Sequence, residues 1–101
     1  MRSVYLGGSF SMEEERNREA ERLIWEAGFI PITPASLHPP QLYARETLRN
    51  ACSELINRSD FVVMLPDWEN YDFAKWEYRQ AKESGIITFL RIRELFRLEV
   101  A

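Results

Sequence analysis

A carboxylate on the apolar face of a helix is the first feature of this chain that points to chemistry. The stretch from Asp60 to Gly85 reads DFVVMLPDWENYDFAKWEYRQAKESG. In its second half, Phe73, Ala74, Tyr78 and Ala81 fall on one helical stripe, and Glu77 lies in the middle of it, three residues after Ala74 and four before Ala81. A carboxyl group there is costly unless it is paired or opens into a site. Taken on its own residues, Glu77 is either a site carboxylate or a structural one paired with a nearby Arg or Tyr.

The segment just before it supplies companions. Asp67, Glu69 and Asp72 are acids, and Trp68, Tyr71 and Trp76 offer flat faces. A buried carboxylate facing an anomeric carbon can stabilise an oxocarbenium-like sugar, electrostatically or by covalent attack, while a second acid protonates the leaving base. Glu77 fits the first role. Asp67, Glu69 or Asp72 fits the second if its neighbours raise its pKa. The aromatic faces suit base stacking, worth ~1–3 kcal/mol per base in nucleic-acid binders. Gly7-Gly8-Ser9, after the first apolar run, offers backbone donors to a phosphate or a hydroxyl.

Plainer readings stand beside these. A Gly-Gly-Ser turn can be only a turn, and it lacks the GxGxxG spacing of dinucleotide binders. Tyr5 can be core, and Trp68 and Trp76 can be packing or interface residues. His38, followed by two prolines, reads as a loop residue. Cys52 lies in register with an apolar stripe and reads as a small core residue, not a nucleophile. Arg91, Arg93 and Arg97 read as a solvated face.

The elements that must position these residues follow in order. Val4 to Leu6 predicts a first strand. Ser11 with Glu14 forms a capping-box pair, so a helix is expected from near Met12, with Ala20, Leu23, Ile24 and Ala27 inward and Gly28 as its stop. Phe29 to Ile32 predicts a second strand, on an edge because Pro31 cannot donate to a ladder. Ala35 to Gln41 reads as an irregular loop, a candidate pocket rim. A second long helix is expected over Leu42–Arg58, and Phe61 to Leu65 as a strand buried on both faces. The helix carrying Glu77 ends at Gly85, a fourth strand covers Ile86–Leu90, and Ile92, Leu95 and Phe96 place a short helix in the tail, on this domain or on a partner.

Strands alternating with helices predict an α/β fold: a flavodoxin/Rossmann-like three-layer sandwich with a mostly parallel sheet of four to five strands. The carboxyl ends of the first and third strands then lie side by side at a switch in strand order, where such sheets bind ligands. The 101 residues suit one domain over 1–101. With 46% hydrophobic and 29% charged residues and no long apolar run, a membrane span is not expected. MRSVYLGGSF reads as a strand and not a signal peptide, so a cytoplasmic protein is expected. One cysteine excludes an internal disulfide, and with a single histidine it argues against a zinc site. A net charge of −3 argues against binding a nucleic acid polymer.

The motifs VYLGGSF, LPDWEN and the spacing Ala74-x-x-Glu77-x-x-x-Ala81-x-x-x-Gly85 resemble those of the nucleoside 2-deoxyribosyltransferase-like superfamily. The likeness is nearest to its small branch of unassigned function, where the segment reads LPGWENSxGAxxE, and it runs from Tyr5 to Leu90. The resemblance implies Glu77 as the nucleophile, Tyr5 as the residue that holds it, and Asp72, Asp67 or Glu69 as the acid handling the base. It implies Gly7, Gly8 and Ser9 against the sugar or its 5′-phosphate, and Asp67, Trp68, Glu69 and Tyr71 around the rest of the substrate. The implied reaction is N-glycosidic bond transfer or hydrolysis on a (deoxy)nucleoside or nucleoside 5′-monophosphate. No metal or organic cofactor is implied, and a homodimer or larger homo-oligomer is expected. Tyr71-Asp72-Phe73 stands where the branch has Ser-x-Gly, and Asp67 where it has Gly. Phe73 in the place of that Gly fills space a ligand would use. The alternatives are a non-catalytic nucleotide-binding or sensing module, and an interaction protein whose aromatic loop meets another protein.

Overall fold

The computed structural model describes residues 1–37 and 44–98; the expectations for His38, for most of the proposed rim loop, for Leu42 and for the last residues of the tail lie outside them. Four strands, β1 (Ser3–Gly7), β2 (Ile30–Ile32), β3 (Phe61–Met64) and β4 (Ile87–Phe89), form one sheet in the order β2-β1-β3-β4. Every pairing is parallel, with Tyr5 opposite Ile32 on one side and Val62 on the other. The inner strands are the continuous apolar runs and are buried, whereas Ile30 and Ile87 on the edge strands are exposed. Pro31 sits on the edge strand β2, where its missing N–H costs no inner ladder bond.

Alternation along the strands divides the core into two. Val4, Leu6, Phe61 and Val63 face α1 (Glu14–Glu26), meeting Ala20 and Ile24. Tyr5, Val62 and Met64 face the other way, against Leu48, Cys52 and Ile56 of α3 (Arg45–Arg58) and Ala74 and Ala81 of α4 (Asp72–Glu83). The three-layer α/β sandwich predicted from the alternation is therefore the observed fold. Among the described residues no helix is long and apolar enough to cross a membrane.

Several boundaries differ from expectation. The Ser11–Glu14 capping box does not form. Ser9–Ser11 is drawn into a 3-10 turn, closed by bonds from Ser11 N–H to Gly8 O (3.1 Å) and Met12 N–H to Ser9 O (3.3 Å), so α1 begins later with Glu13 as its cap residue. Part of the expected loop is helical: Pro34–Leu37 makes one turn, α2, with Pro34 at its first position, where a missing N–H costs nothing. The last helix is a 3-10 segment, Ile92–Arg97, and it packs on this domain, since Leu95 is buried beside Val4 and Ile24.

Candidate functional site

The strand order reverses between β1 and β3, and both strands end there in turns. Leu65 N–H donates to Gly7 O at 2.9 Å, carrying the ladder one step past β3. The chain then swings away at Gly8, whose φ of 88° lies in the left-handed region. A Cβ at Gly8 would meet Leu65, Trp68 and Ala74 only at ordinary contact distances, so backbone conformation and not space calls for glycine. At Gly7 a Cβ would meet the end of the Met64 side chain, which would have to shift to admit it.

That turn aims the Gly8 N–H at α4, where it donates to Glu77 Oε1 at 2.9 Å. The other oxygen, Oε2, accepts the Tyr5 hydroxyl at 2.5 Å. Glu77 has no exposed surface, and Tyr5 has none either. Burial pushes the Glu77 carboxyl up to about 7, against the opposing pull of the Tyr5 and Gly8 hydrogen bonds. Tyr5 is pushed well above the ordinary phenol value, by burial first and then by the neighbouring Glu77 charge, so it stays protonated and remains the donor. Burial likewise lifts the Cys52 thiol to about 11, against a hydrogen bond with Tyr5 that lowers it. Cys52 is a protonated core residue. Glu77, by contrast, is poised to gain or lose a proton near neutrality, which suits a general base or a nucleophile.

The loop residues named from the sequence lie apart from this pair. Asp67, Glu69, Tyr71 and Asp72 are exposed. Asp72 opens α4 and pairs with Lys75 at 3.3 Å. No hydrogen bond joins Asp67, Glu69 or Asp72 to Glu77 among the described residues. Asp67 adopts φ 66°, a backbone that L side chains rarely take, immediately before a 3-10 turn at Trp68–Asn70. Trp68 is half-buried and stacks on Tyr78, ring centroids 4.6 Å apart, which occupies one of its faces. Trp76 leans on Phe73 at 5.2 Å and lies under the Arg49 guanidinium.

Ser9 is buried and already engaged. Its hydroxyl accepts the Ala35 N–H at 3.3 Å, and its carbonyl accepts Asn17 Nδ2 at 2.9 Å. Asn17 and Phe10 were not singled out from the sequence. Asn17 is buried on α1 in line with Ala20 and Ile24, a polar residue on an apolar stripe, which is the same signal that marks Glu77. Phe10 carries no such mark. It meets Phe73 edge to face at 5.2 Å, and Phe73 stands one helical turn before Glu77.

The comparisons with known proteins bear on the fold around this pair. The model of a family described as Domain of unknown function (DUF4406) matches residues 2–89. No curated protein matches the chain. Among solved structures, a 2-desoxiribosyltransferase from Leishmania mexicana is similar, with a TM-score of 0.67 and 14% identity over 87% of this chain. This chain spans 62% of that protein's length. At that identity the likeness is one of fold, and it is the fold that the motifs implied.

Proposed function

The chain belongs to the family described as Domain of unknown function (DUF4406), and we propose that it breaks or transfers the N-glycosidic bond of a (deoxy)nucleoside or nucleoside 5′-monophosphate, with Glu77 as nucleophile. The observation that carries this reading is the pair of bonds holding Glu77, from the Tyr5 hydroxyl and the Gly8 N–H, at the reversal of strand order. A carboxylate fixed by both oxygens loses little freedom on attack. It bonds to the anomeric carbon as the C–N bond breaks, and the base departs with that electron pair. An acid on the segment before α4, Asp72 or else Asp67 or Glu69, gives the base its proton. Water, or a second base, then takes the sugar from the ester. The similarity of fold to a 2-desoxiribosyltransferase supports the reading. In the same reading the pocket is completed by a second copy of the chain.

The test is incubation of the protein with a panel of nucleosides and nucleoside 5′-monophosphates, read by chromatography for free base. Release from one member, abolished in Glu77→Gln with unchanged circular dichroism, is the expected result. Release that survives this substitution would remove Glu77 from the mechanism.

One observation favours a second reading, a nucleotide-binding module without turnover: Glu77 is wholly buried, and Phe73 packs on Phe10 one helical turn before it. Thermal stabilisation by a panel member, with no base released, would select that reading.

A further inference from the structure

Away from Glu77, a groove of about 570 Å³ runs between α3 and α4. Arg45, Arg49, Asn50 and Ser53 line one wall, and Trp76 and Gln80 the other. The Arg49 guanidinium lies over the Trp76 ring, 5.7 Å from its centroid. That contact orients the side chain across the groove. Its Nε is buried and has no hydrogen-bond partner among the described residues. A guanidinium N–H enclosed without an acceptor is costly, and rotation of the half-exposed Arg49 side chain toward an anion in the groove would relieve it.

The remaining groups have the same polarity. Arg45 stands one turn before Arg49 on α3, and neither arginine is in an ion pair among the described residues. Ser53 donates to Gln80 Oε1 at 3.2 Å, which leaves the Gln80 amide N–H groups to donate elsewhere. Against these donors stands one carboxylate, the exposed Glu46. Two guanidinium groups and an amide supply more donors than the two oxygens of a carboxylate can use. A phosphate, with three terminal oxygens and nearly two negative charges, matches them better.

We propose that this groove is a phosphate site built on Arg49 and Arg45, for a ligand that carries a phosphate on an organic group. The glycine turn is poorly furnished for that anion, because the Gly8 N–H is given to Glu77 and the Ser9 hydroxyl is buried against Ala35. The volume exceeds what a bare phosphate needs and is in the range of small-molecule sites. The inference does not depend on turnover at Glu77.

The experiment is a titration of the labelled protein followed by NMR at the arginine Nε–Hε signals, with the Arg49 signal identified from Arg49→Lys. The probes are inorganic phosphate, a nucleoside 5′-monophosphate, the matching nucleoside, and acetate. Saturable movement of the Arg49 signal with phosphate and with the monophosphate, and none with the nucleoside, is expected. Tighter binding of the monophosphate than of phosphate would identify an organic phosphate ligand; equal binding would identify free phosphate and overturn the organic part of the proposal. Arg49→Gln should weaken binding about tenfold or more, and Arg49→Lys by less. Arg97→Gln, on the 3-10 segment of the tail, should bind as the unaltered protein does, which ties the affinity to this groove. Acetate binding as tight as phosphate, shifts confined to the Gly8–Phe10 amides, or unchanged affinity in Arg49→Gln would each overturn the assignment.

Discussion

Phe10 and Phe73 meet edge to face, with ring centroids 5.2 Å apart, one from the turn after β1 and the other from the first turn of α4. Gly8, two residues before Phe10, donates to the carboxylate that lies one helical turn beyond Phe73. The aromatic pair thus joins the two elements that hold Glu77, and Phe73 stands where the resembling branch has a glycine. Phe73→Ala should therefore increase kcat/KM for base release several-fold. It should also cost about 1–3 kcal/mol of stability, since the ring is half-buried and loses its edge contact. Kinetics on the panel substrate and a denaturant midpoint would check both. A lower kcat/KM would show that the ring binds substrate and does not obstruct it.

The Glu77 carboxyl, raised from its ordinary 4.5 to about 7, should make stability and the proposed reaction move oppositely with pH. The folded state holds this proton more tightly than the unfolded state does. The resulting stabilisation is fully present below pH 4.5, declines as pH rises from there to about 7, and is absent above it. Its full size is about 3 kcal/mol. A nucleophile must be ionised, so kcat/KM should rise through the same region. Urea midpoints between pH 4 and 8 should fall with pH in the unaltered protein and flatten in Glu77→Gln. The same slope in both would assign the dependence to another group.

Tyr5→Phe keeps the packed ring and removes one of the two donors to Glu77. Since that bond lowers the carboxyl's pKa, its loss should move the acid limb of the pH–rate profile upward. Hydrogen bonds to charged groups contribute about 1.5–3 kcal/mol, so the variant should lose about that much at pH 8. The loss should be smaller at pH 5, where Glu77 is protonated. Equal losses at both pH values would mean that the hydroxyl is held by something other than the carboxylate.

The sequence exposed Glu77 because helical spacing marks the interior, and a carboxylate among Ala74, Tyr78 and Ala81 is conspicuous there. Alternation of strands and helices likewise fixed the layers and the β1–β3 neighbourhood. What spacing does not encode is where a turn aims its N–H. The Gly8 bond to Glu77 depends on a left-handed φ, and Gly-Gly-Ser alone is compatible with many turns. The capping box failed for a related reason, because tertiary contacts drew Ser9–Ser11 into their own turn. Phe10 and Arg49 act through partners distant in sequence, Phe73 and Trp76, and nothing local distinguishes them.

Asp67 separates a backbone requirement from a chemical one. Its φ of 66° is tolerated by Asp better than by most residues, yet Gly adopts it without strain. Asp67→Gly should therefore leave the protein as stable or more stable, by up to about 1 kcal/mol, and Asp67→Val should cost about 1–2 kcal/mol. Thermal denaturation of the two variants would measure this. The same pair reports on catalysis. If Asp67 protonates the leaving base, Asp67→Gly should slow base release by about a hundredfold or more while raising the melting temperature. If it serves only to shape the turn before Trp68, the rate should be unchanged, and the acid must be sought at Glu69 or Asp72. Asp72 is exposed and paired with Lys75. It would have to exchange that partner for the base before it could act, which makes an unchanged rate in Asp67→Gly a reason to test Glu69→Gln next.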